Sequence, residues 1–208
     1  MNFISFLKTI QHIKKVELGG LDAQFKLAPA MRLKYNTEKI AASNPRKAAV
    51  LALFYPNKYQ ETCFLLTQRA SYKGTHSAQI SFPGGKIEKN DLNLQETALR
   101  ETFEEVGIQK EQIQVIREIT DVYIPPSNFL ATPFLAYSNT TPTFKINHEV
   151  DHTIEIKIAD LLDDNNISSI NISTSYAKNI NVPCFKLNDY VVWGATAMIL
   201  NEIKELLK

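Results

Sequence analysis

Residues 100–107 read Arg100-Glu101-Thr102-Phe103-Glu104-Glu105-Val106-Gly107 and close a segment with strong helix signals. Asn93 is a favourable N-cap residue, and Glu96 follows it at the spacing of a capping box. Gly107 suits the left-handed position that often ends a helix, because glycine adopts it without steric cost. These signals predict a helix over Leu94–Val106.

This helix combines an apolar stripe with an acidic ridge. The stripe, which we expect to face the core, consists of Ala98, Leu99, Thr102, Phe103 and Val106. Glu101, Glu104 and Glu105 form the ridge, and like charges at this spacing repel by roughly a few tenths of a kcal/mol. Arg100 offsets only part of that charge, so the ridge favours a hard divalent cation such as Mg²⁺ or Mn²⁺. A solvated charged helix face is the simpler alternative.

A glycine pair lies ahead of the helix. Phe82-Pro83-Gly84-Gly85 ends a candidate strand, and a polar loop then runs to Asp91. Paired glycines let the backbone approach a ligand closely and expose amide and carbonyl groups to it. Together, the loop and the ridge predict a phosphate and metal site.

The rest of the chain alternates between strand-like and helix-like patterns. Strands are predicted at 48–55, 62–68, 77–82, 113–122, 130–137 and 153–158, and helices at 1–16 and 193–207. Residues 19–46 and 163–181 are predicted to be irregular. We expect an α/β fold, with a mixed sheet covered by helices on both faces. The predicted domains are an N-terminal helix and irregular lead-in at 1–46, packed on a body at 47–208.

Composition limits the classes of partner. The 208 residues carry 23 Lys and Arg against 22 Asp and Glu, so the net charge of +1 gives no support to a nucleic-acid partner. Cys63 and Cys184 can form neither a disulfide framework nor a zinc ligand set. No apolar run is long enough to span a membrane, and we expect a cytoplasmic protein.

The spacing of these residues resembles a known signature. Gly85, Asp91 and residues 100–108 are similar to the Nudix hydrolase pattern Gly-x5-Glu-x7-Arg-Glu-U-x-Glu-Glu-x-Gly-U, where U is apolar. Asp91 replaces the Glu, eight residues rather than seven precede Arg100, and Thr102 occupies an apolar position. None of these departures affects the three glutamates. The resemblance implies a Nudix-type α/β/α sandwich.

A second motif resembles that of the coenzyme A pyrophosphatases within this superfamily. Their pattern is Leu-Leu-Thr-x-Arg-Ser-x3-Arg-x3-Gly-x3-Phe-Pro-Gly-Gly, and this chain matches it at residues 65–69 and 82–85. Ala70, Gly74 and Ala78 replace the Ser, Arg and Gly. Segments 123–127, 132–134, 149–150 and 193–197 also look like that group. Lys73 can supply the cation of the lost Arg, without its planar fork.

The resemblance implies a metal-dependent pyrophosphatase. The expected ligands of Mg²⁺ or Mn²⁺ are Glu101, Glu105, Glu104 and the Gly85 carbonyl. Catalytic roles are expected for Glu104, for Arg100 as the residue that orients a glutamate, and for Glu149 as the general base. For Glu149, an ordinary surface loop position is the alternative.

Coenzyme A or acyl-CoA is the expected substrate, cleaved to adenosine 3′,5′-bisphosphate and a phosphopantetheine. The candidate substrate-binding residues are Arg69, Lys73, His76, Gln79, Gly84 and Lys86. For Arg69, a structural salt bridge is the alternative, and for Trp193 we favour packing over contact with a ligand. Other Nudix substrates, namely ADP-ribose, nucleotide sugars or modified nucleoside triphosphates, remain alternatives, as does a non-catalytic binding module. A homodimer is a family-level expectation.

Overall fold

The computed structural model describes residues 1–70, 79–173 and 179–208. The helices are α1 (Phe3–Ile13), α2 (Gly20–Phe25), α3 (Thr37–Ala42), α4 (Leu94–Val106), α5 (Ile158–Leu162) and α6 (Gly194–Leu207). The strands are β1 (Arg46–Pro56), β2 (Thr62–Arg69), β3 (Ile80–Ser81), β4 (Gly84–Lys86), β5 (Gln114–Glu118), β6 (Val122–Ile124), β7 (Phe129–Tyr137), β8 (Val150–Lys157), β9 (Ile167–Ile172), β10 (Ile180–Leu187) and β11 (Tyr190–Trp193).

A mixed sheet forms the centre of the molecule. Its strands follow the order β3-β2-β1-β7-β5, while β4 pairs with β1, β6 with β7 and β8 with β2. Strands β1 and β7 run parallel, and the other pairs in this sheet are antiparallel. Strands β9, β10 and β11 form a second, antiparallel sheet.

Strand β1 separates two apolar cores because its side chains alternate between the faces of the sheet. Ala49, Leu51 and Leu53 pack with the apolar residues of α4 on one face. Ala52 and Phe54 belong to the larger core on the other face, which also includes apolar residues of α1 and α6. Helices therefore cover both faces, and the predicted α/β/α sandwich is confirmed.

Helix α4 has the predicted bounds and the predicted ends. The Asn93 side chain accepts a hydrogen bond from the Glu96 amide at 3.0 Å. Gly107 has a φ of 77°, and its amide donates to the Phe103 carbonyl. One part of the prediction was wrong, since the Phe103 side chain is 46% exposed. Glu105 takes a buried place on the inner face instead, beside Thr102 and Val106.

Both segments predicted to be irregular contain regular structure. Helices α2 and α3 lie within 19–46, and α2 packs against α6. Strand β9 and the start of β10 lie within 163–181. Their polar composition concealed them, because the alternating exposed residues of β9 belong to a half-exposed sheet rather than to the main core.

Smaller corrections concern the strands. The single strand predicted at 113–122 is two elements, β5 and β6, and the glycine loop contains the short strand β4. Of the strand predicted at 77–82, residues 77 and 78 lie outside the described residues, and β3 covers only Ile80–Ser81. The other predicted strands and the C-terminal helix lie close to their expected positions. Cys63 and Cys184 are buried free thiols. Throughout the described ranges, no helix is both long and apolar enough to cross a membrane. The division at residues 46 and 47 stays a prediction.

Candidate active site

Strand β4 places the two glycines against the carboxylates of α4. The Gly84 amide donates to Glu105 Oε2 at 3.2 Å. A Cβ atom at Gly85 would lie 2.4 Å from Glu101 Oε1, and one at Gly84 would lie 2.3 Å from the Ala49 carbonyl oxygen. Gly84 also has a φ of 153°. Both positions therefore require glycine, Gly84 for backbone packing on β1 and Gly85 for contact with a carboxylate.

Arg100 connects three acidic side chains. Its Nη1 donates to Glu101 Oε1 at 3.0 Å and to Glu104 Oε2 at 3.2 Å. Its Nε and Nη2 donate to the two oxygens of Asp91 at 2.9 and 3.0 Å, and Nη2 also reaches the Lys86 carbonyl. The extra residue in the loop thus leaves Asp91 able to bind the guanidinium with both oxygens.

Burial sets the electrostatics of the ridge. It raises the pKa of Glu105 to about 7, partly opposed by the hydrogen bond from Gly84, and the nearby Glu101 and Glu149 add to the rise. Burial also raises the pKa of Glu101, which the Arg100 guanidinium partly offsets. Asp91 differs, because its hydrogen bonds from Arg100 hold its pKa well below the usual range. The ridge therefore carries negative charge that its surroundings only partly compensate.

Glu149 reaches the same place from the end of another strand. It precedes β8, and Val150 is the register partner of Arg69 at the end of β2. Arg69 Nη2 donates to Glu149 Oε2 at 2.8 Å. Both side chains are partly exposed, so this pair lies at the mouth of the site rather than in the core. The alternative of a salt bridge for Arg69 is thus observed, and Arg69 also lines the cavity described next.

A cavity of about 650 Å³ brings most of the predicted site residues together. Those that line it are Arg69, Gln79, Gly84, Gly85, Lys86, Glu101, Glu104, Glu105 and Glu149. Lys73 and His76 lie outside the described residues. We call Glu101, Glu104, Glu105 and Glu149 the carboxylate wall.

Other parts of the cavity were not predicted from the sequence. They include Arg32, Ile124, Ser127 and Phe129, which we call the distal wall. Trp193 also lines the cavity, although packing was the favoured interpretation, and it pairs with Cys184 in the second sheet. Motif resemblance at 123–127 and 193–197 drew attention to two of these segments. No signal in the sequence indicated Arg32.

The residues present fit a divalent metal ion. Two carboxylates with raised pKa values, the buried Glu105 and the half-buried Glu101, contact the glycine pair, and the missing Cβ of Gly85 leaves room for Glu101. Among the described residues, no three acidic, histidine or cysteine side chains yet stand close enough to ligate one ion. Glu101 and Glu104 point toward Arg100 instead. Each of these two carboxylates has a second oxygen that Arg100 does not bind, and this oxygen would be the one to ligate an ion.

A sequence profile of the NUDIX domain matches residues 45–171. This match spans more than half of the chain and contains β4, α4 and the carboxylate wall. The chain belongs to the Nudix hydrolase family. Members of this family are pyrophosphohydrolases that generally need divalent metal ions, which agrees with the fit of the carboxylate wall to such an ion.

Curated relatives of this Nudix chain include plant and bacterial proteins. "Nudix hydrolase 22, chloroplastic" from Arabidopsis thaliana is 30% identical over 166 residues, which cover 75% of this chain but only 53% of the plant protein. The chain thus spans about half of that relative. "Uncharacterized Nudix hydrolase NudL" from Yersinia pestis is 28% identical, over 79% of this chain and 81% of its own length.

Solved structures share the fold at low sequence identity. The NUDIX domain of Shewanella oneidensis NrtR, crystallised with ADP ribose, has a TM-score of 0.54 and 16% identity, covering 86% of this chain and 98% of its own. A MutT/nudix family protein from Enterococcus faecalis has a TM-score of 0.51 and 14% identity, covering 85% and 71%. These similarities support the architecture of the Nudix fold.

Proposed function

We propose that this Nudix chain hydrolyses the pyrophosphate bond of coenzyme A or acyl-CoA with Mg²⁺ or Mn²⁺. The products are adenosine 3′,5′-bisphosphate and a phosphopantetheine or its acyl form. The observation that carries the proposal is a single cavity that combines the carboxylate wall with cationic and apolar surfaces. A large anionic substrate with an apolar arm needs both kinds of surface.

The metal is assigned to the carboxylate wall. Glu101, Glu105 and Glu104, with the Gly85 carbonyl, would hold Mg²⁺ or Mn²⁺, since both prefer oxygen ligands. When bound, such an ion neutralises charge on the pyrophosphate and lowers the pKa of a bound water. Occupation also relieves the repulsion between Glu101 and Glu105.

The chain's own residues position these groups. Arg100 holds Glu101 and Glu104 by hydrogen bonds, while Asp91 fixes the guanidinium from the other side. Glu149 is assigned as the general base, because it lines the cavity close enough to raise the pKa values of Glu101 and Glu105. Its carboxylate accepts a proton from the attacking water, whose oxygen bonds to phosphorus while the bridging oxygen leaves with the other product.

The substrate assignment rests on charge and on the second motif. Lys86 and Arg69 line the cavity beside the glycines, where they can bind the phosphates of the substrate. Gln79 and Gly84 line the same region. Coenzyme A carries a third phosphate on its ribose and thus needs cations beyond the metal. The apolar side chains of Val50, Phe129 and Trp193, among others, offer surface to the adenine or the pantetheine arm.

A panel of substrates tests this function. We expect hydrolysis of coenzyme A with Mg²⁺ or Mn²⁺, loss of activity with chelator, and a kcat/KM higher than those for ADP-ribose, a nucleotide sugar and a nucleoside triphosphate. A higher kcat/KM for one of the other substrates would overturn the substrate assignment but keep the chemistry. Absence of turnover with all of them would overturn the activity in favour of a binding module.

A further inference from the structure

The segment before the matched NUDIX region is fastened to the body by buried polar contacts. Glu202 of α6 is fully buried and accepts hydrogen bonds from the Gly20 amide, the Gln24 side chain and the Thr120 hydroxyl. Asn201 Nδ2 donates to the Ala23 carbonyl at 2.7 Å. Breaking such contacts leaves buried polar groups without partners, which is costly. The lead-in is therefore a fixed part of the folded molecule.

Arg32 projects from this lead-in into the cavity. It ends a 3-10 turn that begins at Ala30, after Pro29. Its Nη1 donates to the Tyr123 carbonyl at 2.8 Å and lies 3.6 Å from Met198 Sδ. Nearby, the rings of Tyr35 and Tyr123 meet edge to face, 5.1 Å apart. The guanidinium is thus tied to β6 and to α6 while it lines the cavity.

The sheet register places Tyr123, whose carbonyl holds Arg32, far from the glycines. Tyr123 of β6 pairs with Leu130 of β7, and Leu130 pairs with Lys47 of β1. The next residue of β1, Ala48, pairs with Lys86 of β4. Three strand spacings of about 4.8 Å therefore separate β6 from β4, a span of about 14 Å. The cavity crosses this span from the carboxylate wall to the distal wall.

We propose that Arg32 determines specificity by binding a substrate phosphate that is separate from the pyrophosphate undergoing cleavage. The inference rests on the proposed function, in which that group is the 3′-phosphate of coenzyme A. A guanidinium has five N–H groups in a fixed fork, so it can hold a carbonyl and also bind a phosphate through two parallel hydrogen bonds. Its anchorage to Tyr123 lowers the entropy lost when a phosphate binds.

Kinetics with a matched pair of substrates tests this role. Coenzyme A and dephospho-coenzyme A differ by the 3′-phosphate alone. We expect Arg32→Gln to lower the ratio of their kcat/KM values by roughly 10- to 100-fold, mainly through KM for coenzyme A. Arg32→Lys keeps the charge without the fork, so it should restore part of the ratio.

Arg46 offers a matched control. It also donates to a backbone carbonyl of the loop between β6 and β7, that of Ser127, and it stacks on the Phe129 ring. Within the part of the chain that the structure describes, Arg46 is not among the residues lining the cavity. Arg46→Gln should leave the substrate ratio unchanged. Equal losses for both substrates in Arg32→Gln would overturn the proposal and assign Arg32 to structure alone.

Binding without turnover separates this proposal from the proposed function. Calorimetry would measure adenosine 3′,5′-bisphosphate against AMP. Tighter binding of the bisphosphate, lost in Arg32→Gln and kept in Arg46→Gln, supports the role of Arg32 even if coenzyme A is not hydrolysed. Equal affinity of the wild type for both nucleotides overturns the role of Arg32, even if coenzyme A is hydrolysed. Unfolding midpoints would verify that each variant is folded.

Discussion

The two ends of the cavity are built in different ways. Three of the four glutamates of the carboxylate wall lie within one turn of α4, and the glycines that contact them are fewer than 25 residues earlier in the chain. The distal wall combines Arg32 from the lead-in with residues of β6, β7 and their connecting loop. The carboxylate wall is a local motif on a capped helix, whereas the distal wall exists only after distant segments have packed together.

We expect the carboxylate wall to carry the chemistry and the distal wall to determine the choice of substrate. A local motif keeps its internal geometry wherever the helix docks, so it suits groups that must hold a metal and phosphates. The shape of a wall assembled from distant segments changes when the sequence of the lead-in or of a loop changes. Substrate preference can change with that shape. Variants at each end of the cavity test this division.

The largest effect is expected from Glu105→Gln at the carboxylate wall. The amide keeps the shape and can accept the Gly84 hydrogen bond, but it removes the charge that the metal needs. We expect kcat with Mg²⁺ to fall by roughly three orders of magnitude, since metal stabilisation of the transition state is worth several kcal/mol. Glu96→Gln, at the start of the same helix, is the control and should stay near wild type. Unchanged turnover in Glu105→Gln would refute its assignment as a ligand.

A smaller effect is expected from Gly85→Ala and Gly84→Ala. The first variant should lose activity, and the second should lose stability. A Cβ atom at Gly85 displaces the Glu101 carboxylate, so kcat should fall roughly 100-fold in a folded protein, as for other small misplacements of reacting groups. A Cβ atom at Gly84 meets the backbone of β1, so its main effect should be on stability. Kinetics and thermal unfolding distinguish the two. Wild-type kcat in Gly85→Ala would contradict the carboxylate contact.

The contacts that fasten the lead-in, which carries Arg32, should be costly to break. Glu202→Ala leaves the Gly20 amide and the Thr120 hydroxyl without their acceptor, and the Gln24 amide keeps only the Thr120 carbonyl. We expect the free energy of unfolding, measured in urea, to fall by about 3 kcal/mol. Glu205→Ala removes an ion pair with Lys26, whose side chain is 62% exposed, and a long hydrogen bond from Asn201, which keeps its bond to the Ala23 carbonyl. It should cost about 1 kcal/mol at most. Equal losses in both variants would count against a buried anchor.

The smallest effect concerns stability and pH. Because the Glu105 pKa is raised to about 7, the metal-free native state binds an extra proton between the usual carboxyl pKa and pH 7, and its stability falls as pH rises through that window. At pH 8, Glu105→Gln should be more stable than wild type by about 2 kcal/mol, and near pH 4 the gain should vanish. Urea unfolding with chelator measures both. A gain of the same size at both pH values would contradict burial of the charge.

Prediction from sequence succeeded where the signals were local. The cap at Asn93, the left-handed Gly107 and the glutamate spacing located α4, and the apolar runs located β1 and β2. These signals depend on a few neighbouring residues and need no knowledge of the rest of the fold. The motif resemblance then indicated the architecture and nine of the residues that line the cavity.

Prediction failed where packing reversed a local preference. Phe103 has the spacing of a core residue but lies exposed, while Glu105 is buried against β4. The apolar stripe could not show that Glu105 is buried. Burying a charged residue costs desolvation free energy, and the stripe does not show the partner that offsets this cost. Helix α2 was missed for a related reason, since it is short and gains its stability from packing on α6.

The chain's order of residues already specified a capped helix with three carboxylates, a preceding glycine pair and the family to which they belong. These features can be recognised in the sequence because the residues involved are fewer than 25 positions apart. The placement of Arg32 and Trp193 in one cavity with Glu105 arises only when the chain folds. Register between distant strands and docking of the lead-in depend on the sum of many weak contacts across the whole chain, and no short pattern records that sum.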